Sequence, residues 1–157
     1  MRICDILPVK HIKAEIAGID KNQVIEEMID LLSDEFSVEV IDELKKAVIE
    51  REKIMSTGVG KGFAIPHAKT SSIEGIVAAF GKSSNKIDFQ SLDGEPVHLV
   101  FVLIGKDNLV GPHIKLLSRI SRMMNKDEFR TSLLNAKTEE EIYSIFDEEE
   151  KKYFEIS

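Results

Sequence analysis

Residues 97–104, VHLVFVLI, constrain the fold of this chain more than any other stretch. The run is rich in β-branched residues, too short to cross a membrane, and apolar at positions that face both ways. A strand of that kind must be covered on both sides, which makes it a central strand between helical layers. Residues 75–81 (GIVAAFG) read as a second short buried strand. Residues 63–65 (FAI) read as a third, and the alternating residues 12–16 (IKAEI) as a fourth. Residues 82–86 read as a polar turn, and Asp93-Gly94 marks another.

Helical periodicity fills the rest. Val24, Ile25, Met28, Ile29, Leu31 and Leu32 recur at three- and four-residue spacing over 21–36, behind Asp20 as N-cap. Ser37 caps a second helix, with Val40, Ile41, Leu44, Ala47 and Val48 forming its stripe to about Arg51. The short connection makes the two antiparallel neighbours. Pro112 is predicted to open the strongest helix, since proline suits the first helical position; Ile114, Leu117, Ile120 and Met124 form one face of it. A short helix is expected over 127–136. Thr138 with Glu141 has the capping-box spacing for a last helix over 139–147, and a charged tail is expected to fray. Strands and helices interleave without repeat or linker. The expectation is one α/β domain over 1–157, with its core at about 5–147.

The net charge of −7 argues against non-specific nucleic-acid or anionic-membrane binding and is compatible with a basic protein partner. A single cysteine, Cys4, excludes an internal disulfide and a multi-cysteine zinc site. With no apolar leader and no span-length run, the expected location is the cytoplasm.

The chemistry gathers on the histidines. His98 lies inside the central strand and is read as a structural histidine, and His11, between two lysines, as a solvated one. His67 and His113 each follow a proline, at a strand end or a helix start, where α/β folds open their crevice. Residues 56–69, STGVGKGFAIPHAK, read as a glycine loop and short strand that deliver the His67 imidazole at a rigid exit. Placed second in its helix, His113 is expected to feel free backbone N–H groups and the positive helix end, which favour a bound anion and a neutral imidazole. His67, with a free ring nitrogen at cell pH, is a candidate nucleophile toward phosphorus. Phosphoryl transfer needs positioning and charge neutralisation. Arg51, just before the loop, is placed to supply a bidentate fork, and Ser56, Thr57 and the loop amides supply donors. Coincidence of two Pro-His pairs stands beside this reading. A metal site is a weaker rival, since no further ligands stand at metal-binding spacing. A Walker loop is excluded by spacing, and no G-x-S-x-G elbow supports hydrolase chemistry.

The stretch from Arg51-Glu52-Lys53 through Pro66-His67-Ala68-Lys69 closely resembles the signature of the mannitol/fructose-type enzyme IIA of the bacterial phosphoenolpyruvate-dependent sugar phosphotransferase system (PTS), a family that includes the nitrogen-regulatory IIA proteins. The match continues through Asp88-Phe89, Leu92-Asp93-Gly94-Glu95-Pro96-Val97, and 111–120 (GPHIKLLSRI). The resemblance implies a single EIIA type-2 domain with a mixed sheet flanked by helices. It implies that His67 is the phosphorylated histidine, that His113 supports the phosphoryl group and that Arg51 binds it, with no metal, nucleotide or other cofactor. The implied donor is the phosphocarrier HPr or its nitrogen-branch counterpart. The implied acceptor is a cysteine of an enzyme IIB during fructose- or mannitol-type uptake. The alternative is a regulatory protein whose phosphorylation state is read by partners. The absence of fused IIB or IIC segments leans toward that alternative without deciding it. Around the active histidine, Met55, Phe63 and Ile114 could form a partner face or belong to the core.

Overall fold

The computed structural model describes residues 1–156, with side chains to Tyr153. A short helix α1 (Ile3–Ile6) and a 3-10 turn (Val9–His11) lead into β1 (Ile12–Lys13). Helices α2 (Lys21–Asp30) and α3 (Val38–Ile54) follow, then β2 (Gly58–Gly60), β3 (Phe63–Ala64), β4 (His67–Thr70), β5 (Ile76–Ile87) and β6 (Val97–Lys106). Three helices close the chain: α4 (Val110–Met124), α5 (Asp127–Asn135) and α6 (Glu139–Ile156).

The sheet is mixed, with order β1-β5-β6-β3-β2, and β4 also pairs with β6. As its composition requires, β6 is central. Its long antiparallel partner is β5, while β3 and β4 run parallel to its other edge. Leu99, Phe101 and Leu103 pack against α1, α4, α5 and α6 with Phe80, Ile120, Phe129 and Phe146. Val100, Val102 and Ile104 pack the opposite way, against Val24, Ile25 and Met28 of α2 and Leu44 and Val48 of α3. Two apolar layers on one strand explain why residues 97–104 carry no polar alternation beyond His98.

Strands β3 and β4 are one strand interrupted. Phe63 aligns with Leu99, Ala64 with Val100, and His67 with Leu103, so the register is unbroken across Ile65-Pro66. Pro66 has no N–H to give the ladder, but its carbonyl still accepts from the Leu103 N–H at 3.0 Å. The imidazole of His67 therefore starts a strand segment; the expected exit after residue 65 is a pause within a strand.

Other expectations are corrected. Residues 82–86 do not turn: β5 runs through them to Ile87, with a register shift against β6 after Lys82. Helix α2 stops at Asp30, and 31–36 form turns. Strand β1 covers only Ile12–Lys13. The charged tail does not fray at 148, since α6 is helical to Ile156; Glu150 is buried and accepts from the Ile3 and Cys4 amides at the start of α1. His11 is buried, its Nε2 3.3 Å from Asp34 and 3.9 Å from Glu35. The 3-10 turn rotates it inward while Lys10 pairs with Asp34 outside. Among the described residues these three form the one grouping with donor atoms close enough for a metal ion, and it contains neither His67 nor His113. The caps at Asp20 and Ser37 form as expected. At Thr138 the hydroxyl accepts from Glu141 N–H, whose own carboxylate accepts one residue earlier, at Lys137.

Candidate functional site

The unbroken register places His67 and Lys69 on one side of β4, two residues apart, with Lys69 opposite Gly105 of β6. Nδ1 of His113, reaching in from α4, lies 2.9 Å from where a Cβ on Gly105 would stand. The His67 and His113 rings come together in this way, with centroids 5.9 Å apart and planes tilted by 53°.

The two imidazoles are held differently. Nδ1 of His67 lies 2.7 Å from the Ile65 carbonyl oxygen. A carbonyl only accepts, so Nδ1 carries the proton and Nε2 keeps its lone pair. His67 is half-buried, and burial holds its pKa below the ordinary 6.5. The positive charges of Arg51 and Lys69 push in the same direction, against the Ile65 bond and the Glu52 charge. His113 is 3 % exposed, and neither of its ring nitrogens has a hydrogen-bond partner. Its pKa is lowered to about 4 by burial first, then by His67 and Lys69. It is neutral at cell pH, with one ring N–H to give.

That neutrality was expected, but the helix geometry behind it differs. Helix α4 begins at Val110, so Pro112 is its third residue and His113 its fourth. The His113 amide already donates to the Leu109 carbonyl at 3.1 Å. Desolvation takes the place of the helix end as the cause. The glycine loop is likewise not a cradle of free donors. Gly60, Lys61 and Gly62 all take positive φ to make a tight reversal between β2 and β3. Within it the Gly58 amide donates to Ser56 Oγ and the Lys61 amide to Asp93. The Ser56 hydroxyl donates to the Phe89 carbonyl, and the Thr57 hydroxyl donates to Glu52 at 2.6 Å. Both hydroxyls expected to face a phosphate are therefore occupied in holding the loop.

Arg51 lies in the last turn of α3, with Nη1 donating to the Met55 carbonyl at 3.2 Å. Phe63 is 2 % exposed and belongs to the core. Met55 and Ile114 are 62 % and 60 % exposed.

Two residues beside His67 were not singled out from the sequence. Lys69 was legible in principle, since it stands one strand repeat beyond His67. Glu52 is 5 % exposed, and its carboxylate accepts from Lys21 Nζ and the Thr57 amide, each at 2.8 Å, and from the Thr57 hydroxyl. A buried glutamate between two charged neighbours in sequence leaves no local pattern.

The chain belongs to the family described as "Phosphoenolpyruvate-dependent sugar phosphotransferase system, EIIA 2", whose model matches residues 5–149. It is 38 % identical over 151 residues to the PTS system fructose-specific EIIABC component of Bacillus subtilis, covering 96 % of this chain but 24 % of that longer protein. It is 33 % identical over 146 residues to the PTS system fructose-specific EIIA component of Haloferax volcanii, covering 93 % of this chain and 95 % of that one. Among solved structures, the nitrogen regulatory protein IIA-Ntr of Neisseria meningitidis superposes with a TM-score of 0.86 at 32 % identity, over 92 % of this chain and 98 % of that one. The IIA of mannitol from Escherichia coli, solved in complex with phosphorylated IIB, shares the fold with a TM-score of 0.74 at 17 % identity, over 88 % of this chain and 94 % of that one. Among the described residues no helix is long and apolar enough to cross a membrane.

Proposed function

We propose that this protein is a phosphocarrier, in which Nε2 of His67 accepts a phosphoryl group from a phosphohistidine of HPr or an HPr-like protein and passes it on. The observation that carries the reading is the 2.7 Å contact between His67 Nδ1 and the Ile65 carbonyl. It fixes the proton on Nδ1 and leaves an Nε2 lone pair, so attack needs no prior loss of a proton from the attacking nitrogen. As the donor's P–N bond breaks, a new P–N bond forms at Nε2 and the donor imidazole recovers its electron pair. His113 gives its ring N–H to a phosphoryl oxygen as a neutral group. Arg51 and Lys69 add positive charge to a site that receives an anion. In the onward step a thiolate of enzyme IIB attacks phosphorus and His67 regains its lone pair. No metal or nucleotide enters either step.

The route is read as sugar uptake, with an enzyme IIB cysteine as acceptor and fructose or mannitol as the sugar class. This is supported by the fructose-specific relatives. A second reading, a regulatory IIA whose phosphorylated state is sensed by partners, is supported by the likeness to IIA-Ntr over 98 % of that chain. The test incubates the purified protein with phosphoenolpyruvate, enzyme I and HPr. Phosphate incorporation at His67, lost in His67→Ala, is expected; incorporation unchanged in that variant overturns the assignment. Chasing the phosphoprotein with a fructose-type IIB then separates the routes: rapid discharge favours uptake, and retention of phosphate favours regulation.

A further inference from the structure

We propose that Glu52 is a positioning residue for His67, selecting the Nδ1–H form of the imidazole through Thr57 and Ile65. The proposal rests on the reading of His67 as the phosphoryl acceptor. Its geometry is a continuous series of hydrogen bonds. The Glu52 carboxylate accepts both the amide and the hydroxyl of Thr57, at 2.8 and 2.6 Å. The Thr57 carbonyl accepts the Ile65 amide at 3.1 Å. The Ile65 carbonyl then accepts Nδ1–H of His67 at 2.7 Å. That carbonyl precedes Pro66, whose own carbonyl is tied to Leu103 of β6, so the peptide facing Nδ1 is held from both sides.

Glu52 is well suited to anchor the series. Its side chain is 3 % exposed, and the partly buried Lys21 at 2.8 Å supplies the countercharge that makes a buried anion tolerable. Lys21 in turn donates to the Phe89 carbonyl, the group that also accepts from Ser56. The turn that Glu52 closes contains Met55, whose carbonyl holds Arg51. A single carboxylate thus sets the arginine at the site entrance and the peptide that fixes the histidine. Removing it frees residues 55–57, lets the Ile65 carbonyl drift from Nδ1, and allows the ring to take the tautomer with the proton on Nε2, which cannot attack.

The test measures imidazole nitrogen shifts by two-bond ¹H–¹⁵N correlation spectra, in the full chain without any partner protein. In the native protein both His67 and His98 are expected as Nδ1–H tautomers, since His98 Nδ1 faces the Ser83 carbonyl at 2.9 Å in a remote part of the sheet. In Glu52→Gln and in Thr57→Val, His67 should show a mixed signature while His98 keeps its own, and phosphoryl uptake should fall roughly 10- to 100-fold, the scale expected for a misplaced reacting group. Should Glu52→Gln fail to fold, Thr57→Val gives the same reading with the carboxylate and its lysine left in place. A His67 signature unchanged in the folded variants overturns the proposal, as does a change shared equally by His98. Failure of the native protein to be phosphorylated at His67 would instead overturn the functional reading, and the spectra would still decide the positioning.

Discussion

A Cβ placed on Gly105 would stand 2.9 Å from Nδ1 of His113. No side chain fits there without moving the ring, because Gly105 is buried on β6 and His113 is fixed by the helix behind it. Gly105→Ala should displace His113 from His67 and slow phosphoryl transfer by 10-fold or more, at a stability cost of about 1–3 kcal/mol typical of overpacking. Transfer kinetics beside a denaturant titration check this; native rates in a folded variant would mean that the ring position is immaterial.

The buried neutral state of His113 makes acid stability a readout of the site. Its folded pKa of about 4 lies below the ordinary 6.5, so between those values the unfolded chain binds the proton that the folded chain refuses. Stability should fall as pH drops from about 6.5 to about 4 and gain no further loss from this group below that. His67 is shifted in the same direction. His113→Gln should flatten the slope in that window, measured as melting temperature against pH, while the folded protein still accepts phosphate but passes it on slowly. An unchanged slope contradicts the burial of the ring as described.

Arg51→Lys keeps the charge and loses the planar fork. One arm of that fork is occupied by the Met55 carbonyl, so a lysine cannot both hold the turn and reach a phosphoryl group. Transfer should slow by about 10-fold, with a change in stability within about 1 kcal/mol. Stopped-flow transfer from phosphorylated HPr measures it.

Phe63 lies in the core, whereas Met55 and Ile114 are exposed. Phe63→Ala empties a buried ring and should cost about 3–5 kcal/mol, whereas Met55→Ala and Ile114→Ala, both at exposed side chains, should change stability by no more than about 0.5 kcal/mol. If those two form the docking face, each weakens HPr binding in a calorimetric titration while the melting temperature holds.

Much of this was visible in the chain itself, for identifiable reasons. Residues 97–104 are apolar on both sides because two helical layers cover β6, and that pattern is local. The pairing of His67 with His113 was visible through their shared Pro-His context. What escaped notice depends on distant residues. The polar run 82–86 reads as a turn because nothing nearby shows that the Lys82 ammonium will meet the Leu134 and Ala136 carbonyls at the end of α5. His11 reads as exposed because its neighbours are lysines, while its carboxylate partners come from the turns after α2. Ser56 and Thr57 look like phosphate donors because hydroxyls beside glycines commonly are, yet their partners are Phe89 and Glu52. Glu52 itself is recognisable only once Lys21 is beside it.

The unbroken register across Pro66 has one more consequence. His67 is opposite Leu103, and the glycine under His113 comes two residues later on the same strand. One stretch of β6 therefore serves as a common ruler for both imidazoles, while the arginine and the exposed apolar side chains belong to a turn and to helix faces outside it. The spacing of the two imidazoles is thus graduated on one buried strand, and in the proposed transfer cycle the exposed side chains of the turn and the helices would adjust to each partner without altering it.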